Sequence, residues 1–481
     1  MRLKHIYLLV FLTGIVVATI VGNAYLMLMS LLYMIVASYL HLFQPRDALS
    51  AQRSLMVSPL GIALLALTVY LPLSALPLFL GIKLDDIRPI SDDTFSQGVW
   101  FFLAGVTAFF TGFQLNLGWV IGQSMSSVPA MRLDEPLSVA VLRRHTQTNL
   151  IIGLGSYGLL LLVLGYTSPV DAFLNMVEFR AKSTAQGLSY LTLFVNLTLS
   201  VPIGLWVCAW FDSGNELEQG DKQFFLAYLL VYCLVQLTFG ARGPFLALMI
   251  VAGIAWYLKQ GKISIGYVAA AAAGGSALVV FLGLFREALQ APTVEAGWDA
   301  ATLLNTDGVL FFLANLFARF DSFRRYLEII EVLSTGESGI DYSYGQPFLA
   351  LLLSPIPRAI LPEKPWLSSA VYTQTFHPQY AANSIYFEIS LFGEAYLNFG
   401  VAGVVAYCLF VGVLVRALQS YFSDILSKPA KLAFYANTCL LPLGLFQAGI
   451  CEPVTTGAIF SILYNIWFIN RVGSLRSYSA K

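Results

Sequence analysis

The sequence predicts an all-α, polytopic integral membrane protein, and three observations carry that prediction. Of its 481 residues, 58% are hydrophobic and 11% charged, with a mean hydropathy of +0.73; soluble domains hold roughly 25% charged residues. Apolar runs of about 17 to 25 residues recur along most of the chain, each able to cross a hydrocarbon core as a helix whose backbone groups are satisfied internally. The alternating segments of about ten residues that mark an outer-membrane barrel do not occur.

The first apolar stretch, Ile6 to Leu42, is too long for one helix, and Gly22 with Asn23 divides it into two spans joined by a tight turn. The leading MRLKH resembles the start of a signal peptide, but no small-residue cleavage site follows and the apolar run resumes at once, so a retained first span is expected. Further spans are predicted at 55–78, 99–121, 149–166, 188–210, 223–238, 244–258, 263–285, 398–418, 432–450 and 456–470, about twelve transmembrane helices in all. A cytoplasmic N-terminus places most of the 27 Lys and Arg inside, and much of the remainder falls in one long loop that counts little for orientation. Both termini are therefore expected in the cytoplasm.

This layout predicts three blocks: an N-terminal membrane bundle of about nine spans at 1–285, a large external segment at 286–397, and a C-terminal bundle of about three spans at 398–481. The middle block alternates the amphipathic FFLANLFARFDSFRRYLEIIEVL, the Gly-rich turn STGESGIDYSYGQ and the short apolar PFLALLLSPIPRAIL, a pattern expected to lie on or dip into the outer membrane face. The formal net charge is zero, which offers no attraction to nucleic acid. The five cysteines (Cys208, Cys233, Cys408, Cys439, Cys451) show no metal-ligand or redox spacing and read as small buried hydrophobes, so neither a disulfide framework nor a metal site is proposed. No P-loop, dinucleotide fingerprint, nucleophile elbow or HExxH is present, so a reaction must draw on its substrate's own leaving group.

Several polar residues at membrane edges are candidates for chemistry. In QLTFGARGPFLALMI, Arg242 sits in a short external turn beside the helix start at Pro244, where a guanidinium fork and helix N–H groups suit a phosphate; pairing with lipid headgroups is the plain alternative. Arg324 with Glu328, and Asp321 with Arg325, have the four-residue spacing of ordinary helix salt bridges, which leaves Arg319 over as an anion ligand. Arg358 stands between Pro357 and Pro362 in a rigid turn, with Lys364 following as a second point charge. His377 is the one external histidine in this topology and could serve as a general base. In SIYFEISLFGEAYLNFG, helical periodicity puts Tyr386, Ser390, Glu394 and Asn398 on one polar stripe and turns Glu388 roughly a third of a turn away.

Three stretches resemble the bacterial polysaccharide polymerases of the Wzy type: FGARGPFLALMIVAGIAWYLKQGKIS, LSPIPRAILPEKPW and NSIYFEISLFGEAYLNFGVAG. The second is similar to the proline-bracketed turn of enterobacterial common antigen polymerases, although this chain departs from them at Gly393–Glu394. The third carries a Gly-Glu-any-Tyr-any-Asn-Phe-Gly pattern, residues 393–400, typical of oligosaccharide repeat unit polymerases.

The resemblance implies a GT-C-like membrane fold and an inverting glycosyltransferase in the bacterial inner membrane with its site on the periplasmic side. It would need no cofactor and no catalytic metal, and would act on undecaprenyl diphosphate-linked oligosaccharides among membrane lipids, with a chain-length regulator as partner. Carried onto these residues, it assigns Arg242, Arg319, Arg358, Arg180 and Lys364 to diphosphate or sugar binding. Glu394 becomes the leading base with His377 second, and Tyr386, Glu388, Ser390 and Asn398 line the acceptor cavity. Two rivals share the substrate: an O-antigen ligase, and a flippase that moves the lipid-linked unit without reacting.

Overall fold

The computed structural model describes residues 24–42, 58–70, 90–128, 138–185, 188–210, 217–239, 243–260, 322–336, 341–354, 360–382, 386–425 and 428–474, with isolated positions between them. Regular structure among these residues is helical throughout. The helices are α1 (Ala24–Leu42), α2 (Pro59–Tyr70), α3 (Asp92–Gln114), α4 (Asn116–Ser127), α5 (Val139–Leu164), α6 (Pro169–Leu174), α7 (Met176–Ala185), α8 (Ser189–Trp210), α9 (Gln219–Thr238), α10 (Gly243–Gln260), α11 (Ser322–Thr335), α12 (Gln346–Leu352), α13 (Ser368–Phe376), α14 (Pro378–Ala381), α15 (Ser390–Tyr421), α16 (Pro429–Thr438), α17 (Leu441–Ala448) and α18 (Pro453–Ser474).

Four of these are long and apolar enough to cross a membrane: Asp92–Gln114, Val139–Leu164, Tyr190–Trp210 and Ser390–Tyr421, with Pro59–Tyr70 a shorter apolar helix. The expected first span at 6–22 and nearly all of that at 263–285 lie outside the described residues. The segment predicted as one span at 432–450 is two helices, α16 and α17, parted at Cys439–Leu440. Pro442 explains the break, because it lacks the N–H that a continuous helix would bond and its ring would crowd the carbonyl four residues back, while it fits the first turn of α17.

The chain folds as two compact units, each drawn from separate stretches of the sequence. The first comprises 1–126, 310–423 and 439–456, the second 127–309, 424–438 and 457–481. In the first unit α3 begins at Ser91, whose hydroxyl accepts the Thr94 N–H, with Asp92 and Asp93 in the first turn where the helix dipole favours acids. It runs parallel to α15 at close range: a Cβ on Gly112 would collide with the Leu409 carbonyl, and one on Gly412 with that of Phe109. Around this pair Phe102, Phe109, Phe323, Tyr326, Phe392 and Phe446 form a continuous aromatic core.

The amphipathic piece expected on the outer membrane face is, as α11, buried on nearly every side within the first unit. Its polar residues find partners there. Glu331 accepts hydrogen bonds from the backbone N–H and hydroxyl of Ser91 (3.2 and 2.8 Å), and the Tyr326 hydroxyl donates to the Gly98 carbonyl at 3.2 Å. Only part of the quoted stretch, from Ser322 on, is described.

The second unit packs apolar helices through scattered polar ties. Trp206 Nε1 on α8 donates to Thr146 on α5 (2.9 Å), Tyr157 on α5 to Thr238 on α9 (2.9 Å), Gln236 on α9 to Asn196 on α8 (2.7 Å), and Asn437 on α16 to Asn465 on α18 (2.6 Å). Between apolar helices such bonds fix register at modest strength, roughly 0.6 kcal/mol each.

The close α3–α15 contact makes a prediction. Substituting Gly112 or Gly412 by Val should lower thermal stability in detergent by roughly 1–3 kcal/mol through overpacking, whereas Gly155→Ala, where a Cβ meets nothing within 4 Å, should be neutral or mildly stabilising. Equal melting temperatures for all three variants would rule out the close approach.

Candidate functional site

The stretch SIYFEISLFGEAYLNFG is not one helix. Residues 386–389 are irregular and α15 starts at Ser390, so Tyr386, exposed and 6.4 Å by ring centroid from Trp366, leaves the predicted stripe. The reason lies in competing partners for the backbone. The Phe387 N–H donates to Thr373 Oγ1 (2.9 Å), and the Glu388 carbonyl accepts from Arg325 Nη1 (2.7 Å), which also stacks over the Phe387 ring at 4.8 Å. Ser390 adopts φ +65°, and its hydroxyl accepts the Gly393 N–H at 3.3 Å, acting as the cap of the helix.

Within α15 the dihedrals leave the helical range at Phe399 (−145°, 19°) and Gly400 (59°, −145°). This frees carbonyls of the preceding turn, and those of Leu397 and Asn398 accept the N–H groups of Ser343 (2.9 Å) and Tyr344 (3.2 Å). Asn398 adds side-chain bonds, accepting the Gly345 N–H at 3.1 Å and donating to the Glu394 carbonyl at 2.9 Å. The turn between α11 and α12 is thereby stitched to the broken helix.

Glu394 is fully buried. Its Oε1 accepts the N–H groups of Ile450 and Cys451, both at 3.1 Å, and its Oε2 the Cys451 N–H at 2.9 Å. These donors belong to the loop between α17 and α18, which turns at Gly449 (φ +107°, ψ −177°); a Cβ there would collide with the Glu394 carboxyl. Glu452, in the same loop and 1% exposed, reaches the N-terminus of α13, where it accepts from the Ser369 N–H (2.5 Å) and pairs with the Ser369 hydroxyl (2.6 Å). An acid at that position completes an unsatisfied helix start. Burial pushes the Glu452 carboxyl well above the ordinary range, the nearby Glu394 carboxyl adds to the shift, and the Ser369 hydrogen bonds offset only part of it.

Glu388 belongs to a separate polar run. Its Oε2 accepts from Gln447 Nε2 at 2.6 Å, and Gln447 Oε1 accepts from the Tyr70 hydroxyl at 2.8 Å. The side chain thus ties the entry to α15 to both α17 and α2, a structural role in accord with its place off the stripe.

At the far end of α13, His377 is 5% exposed and Glu328 1%. The Tyr372 hydroxyl donates to Glu328 Oε2 at 2.6 Å, and His377 Nε2 lies 3.3 Å from the same oxygen and 3.1 Å from the Tyr372 oxygen. Helix spacing assigns the Glu328 carboxylate to Arg324; it faces Tyr372 and His377 instead, and its Oε1 is buried with no hydrogen-bond partner among the described residues. Aromatic rings of Tyr372, Tyr380 and Phe387 surround the imidazole at centroid distances of 5.4, 6.3 and 5.5 Å.

The first unit therefore gathers Ser390, Glu394, Asn398, Glu388 and His377 along α15 and the segments docked on it. Arg242, Arg319 and Arg358 lie outside the described residues. Arg180 is on α7, in the second unit, with its side chain outside the described residues. Lys364 holds its own turn, donating to the Ser354 and Ile356 carbonyls at 3.1 and 3.3 Å. Sequence reasoning missed Glu328, whose four-residue spacing from Arg324 offered a sufficient local partner. It also missed Glu452, although an acid beside Pro453 at the start of an apolar run is a signal that can be read. Comparison with protein-family models, with curated proteins and with solved structures finds no significant match.

Two predictions follow from this geometry. The backbone angles at Gly400 suit glycine almost alone, so Gly400→Ala should cost about 1–3 kcal/mol and expose the 343–345 amides to faster hydrogen exchange; unchanged exchange would dissociate the break from the docking. For Glu452, a folded value raised above the ordinary 4.5 means that the folded state binds the proton more tightly. Its contribution is full below the ordinary value and is lost as pH rises through the raised one. Melting temperature should therefore decline toward alkaline pH, and Glu452→Gln should flatten that decline; a variant with the wild-type pH slope would refute the assignment.

Proposed function

We propose that the protein is a membrane-embedded polysaccharide polymerase, an inverting glycosyltransferase that moves a growing glycan from undecaprenyl diphosphate onto the non-reducing end of an incoming lipid-linked repeat unit. The observation that carries this reading is the docking of the late segment, the part of the chain that carries α11 to α14, onto the break in α15 through the turn between α11 and α12. The break falls at the end of the Gly-Glu-any-Tyr-any-Asn-Phe-Gly pattern, and polar groups of the late segment collect around that pattern, beside a helix apolar enough to span a membrane.

The chemistry asks for two things. A glycosyl diphosphate carries its own activation, so the enzyme must stabilise charge developing on the departing diphosphate and remove a proton from the acceptor hydroxyl. Arg242, Arg319 and Arg358 are assigned to the diphosphate, with Arg180 and Lys364 in support, since guanidinium forks match phosphate oxygens. Glu394 and His377 are the candidates for the base, on the outer face of the bacterial inner membrane.

The test is a reaction of purified protein with lipid-linked repeat units in detergent, with no membrane gradient. Glycans longer than one repeat should form, and Arg242→Ala should slow their formation by about 10²-fold or more, the scale of losing one preorganised electrostatic contact. Absence of longer glycan, or equal rates for the variant and wild type, would overturn the reading. Transfer only when a lipid A core acceptor is supplied would identify a ligase, and gradient-dependent movement without new bonds a flippase.

A further inference from the structure

We infer that His377 is the acceptor base, acting through Nδ1, and that Glu328 is the positioning residue that fixes its tautomer. This rests on the glycosyl-transfer reading above and names the proton-accepting atom within it.

The geometry first separates the two candidate bases. Glu394 has both oxygens occupied by the Ile450 and Cys451 N–H groups and is fully enclosed. Its loop is joined to the start of α13 through Glu452 and Ser369, whereas His377 follows the other end of that helix. Eight helical residues rise about 12 Å, which sets the two ends of α13 apart. A base must be reached by its acceptor, and Glu394 is fully buried with its carboxylate holding the 450–451 loop.

The hydrogen bonds then fix the protons. Tyr372 has one hydroxyl proton, and the 2.6 Å contact spends it on Glu328 Oε2. What Nε2 of His377 faces, at 3.1 and 3.3 Å, is therefore the lone pairs of the Tyr372 oxygen and a carboxylate oxygen. With Glu328 ionised, only an Nε2–H satisfies both. The neutral ring then carries its lone pair on Nδ1, which makes no hydrogen bond among the described residues. A buried carboxylate on the N–H side of an imidazole, with the other nitrogen free, is the arrangement by which a histidine base is oriented and its cation stabilised.

In the proposed step the acceptor hydroxyl oxygen bonds to the anomeric carbon as the bond from that carbon to the diphosphate oxygen breaks. The bonding pair leaves with the diphosphate. The hydroxyl proton passes to His377 Nδ1, and the imidazolium formed is stabilised through Nε2–H by Glu328. The facing groups from neighbouring elements are Glu328 on α11, Tyr372 on α13 and Tyr380 on α14, while Arg325 lies over Phe387 and bonds the Glu388 carbonyl.

The experiment has one arm independent of activity. In protein labelled with 15N-histidine, the His377 resonances, assigned by their loss in His377→Gln, should show the Nε2–H tautomer, and Glu328→Gln should shift the population toward Nδ1–H. In the detergent reaction with lipid-linked repeat units, His377→Ala should lose about 10²- to 10⁴-fold in rate and regain part of it with added imidazole. Glu328→Gln should fall by a comparable factor without such rescue. An Nδ1–H tautomer in the wild type, or a His377→Ala rate equal to wild type, would overturn the proposal. A wild-type protein that makes no longer glycan yet shows the Nε2–H tautomer would instead defeat the polymerase reading and leave the Glu328–His377 pairing standing.

Discussion

The first unit depends on the interruption of α15 at Phe399–Gly400. A helix that runs unbroken from Ser390 to Tyr421 would satisfy the carbonyls of its middle turns internally and offer none of them to the segment that folds beside it. The break gives the Leu397 and Asn398 carbonyls to the amides of Ser343 and Tyr344, and Asn398 holds the next amide, that of Gly345. Because buried backbone groups left unpaired are costly, the late segment and the helix each complete the other. Gly400 makes this possible, since a side chain there would resist its dihedrals.

From that junction a chain of buried acids extends the docking. Glu394, one turn before Asn398, takes the amides of the loop between α17 and α18; Glu452 of that loop takes the start of α13; and Tyr372 and His377 on α13 and just beyond it reach Glu328 on α11. None of these carboxylates is paired with an arginine or lysine through the hydrogen bonds described, and backbone N–H groups supply much of their compensation. Such a series is exacting, because removing one partner leaves a desolvated acid behind. It also gives each acid a fixed orientation, which a surface ion pair would not.

How much of this was legible follows from the range of the contacts involved. The apolar runs at 149–166 and 188–210 fall, but for one or two end residues, within helices of spanning length, since run length and hydropathy are local properties. Ser390, Glu394 and Asn398 share a helix because their four-residue spacing is also local, whereas Tyr386 does not, its neighbours Phe387 and Glu388 being claimed by Thr373 and Arg325 far along the chain. Glu328 was assigned to Arg324 by the same local rule, yet its partners stand 44 and 49 residues away. The division of 432–450 was readable from Pro442 and was outweighed by the apolarity around it. Packing at a distance decided each point that spacing could not.

The two acids that first mark the stretch SIYFEISLFGEAYLNFG thus come to different ends. Glu388 and Glu394 are both occupied, the one by Gln447 and the other by two backbone amides. A transfer reaction needs the opposite: a group whose orientation is fixed on one side and whose lone pair is open on the other. His377 has that asymmetry through Glu328 and Tyr372, and its ring stands among aromatic neighbours that limit its rotation. The motif in α15 then contributes by shape, holding the late segment in place, and proton transfer falls to the segment it holds.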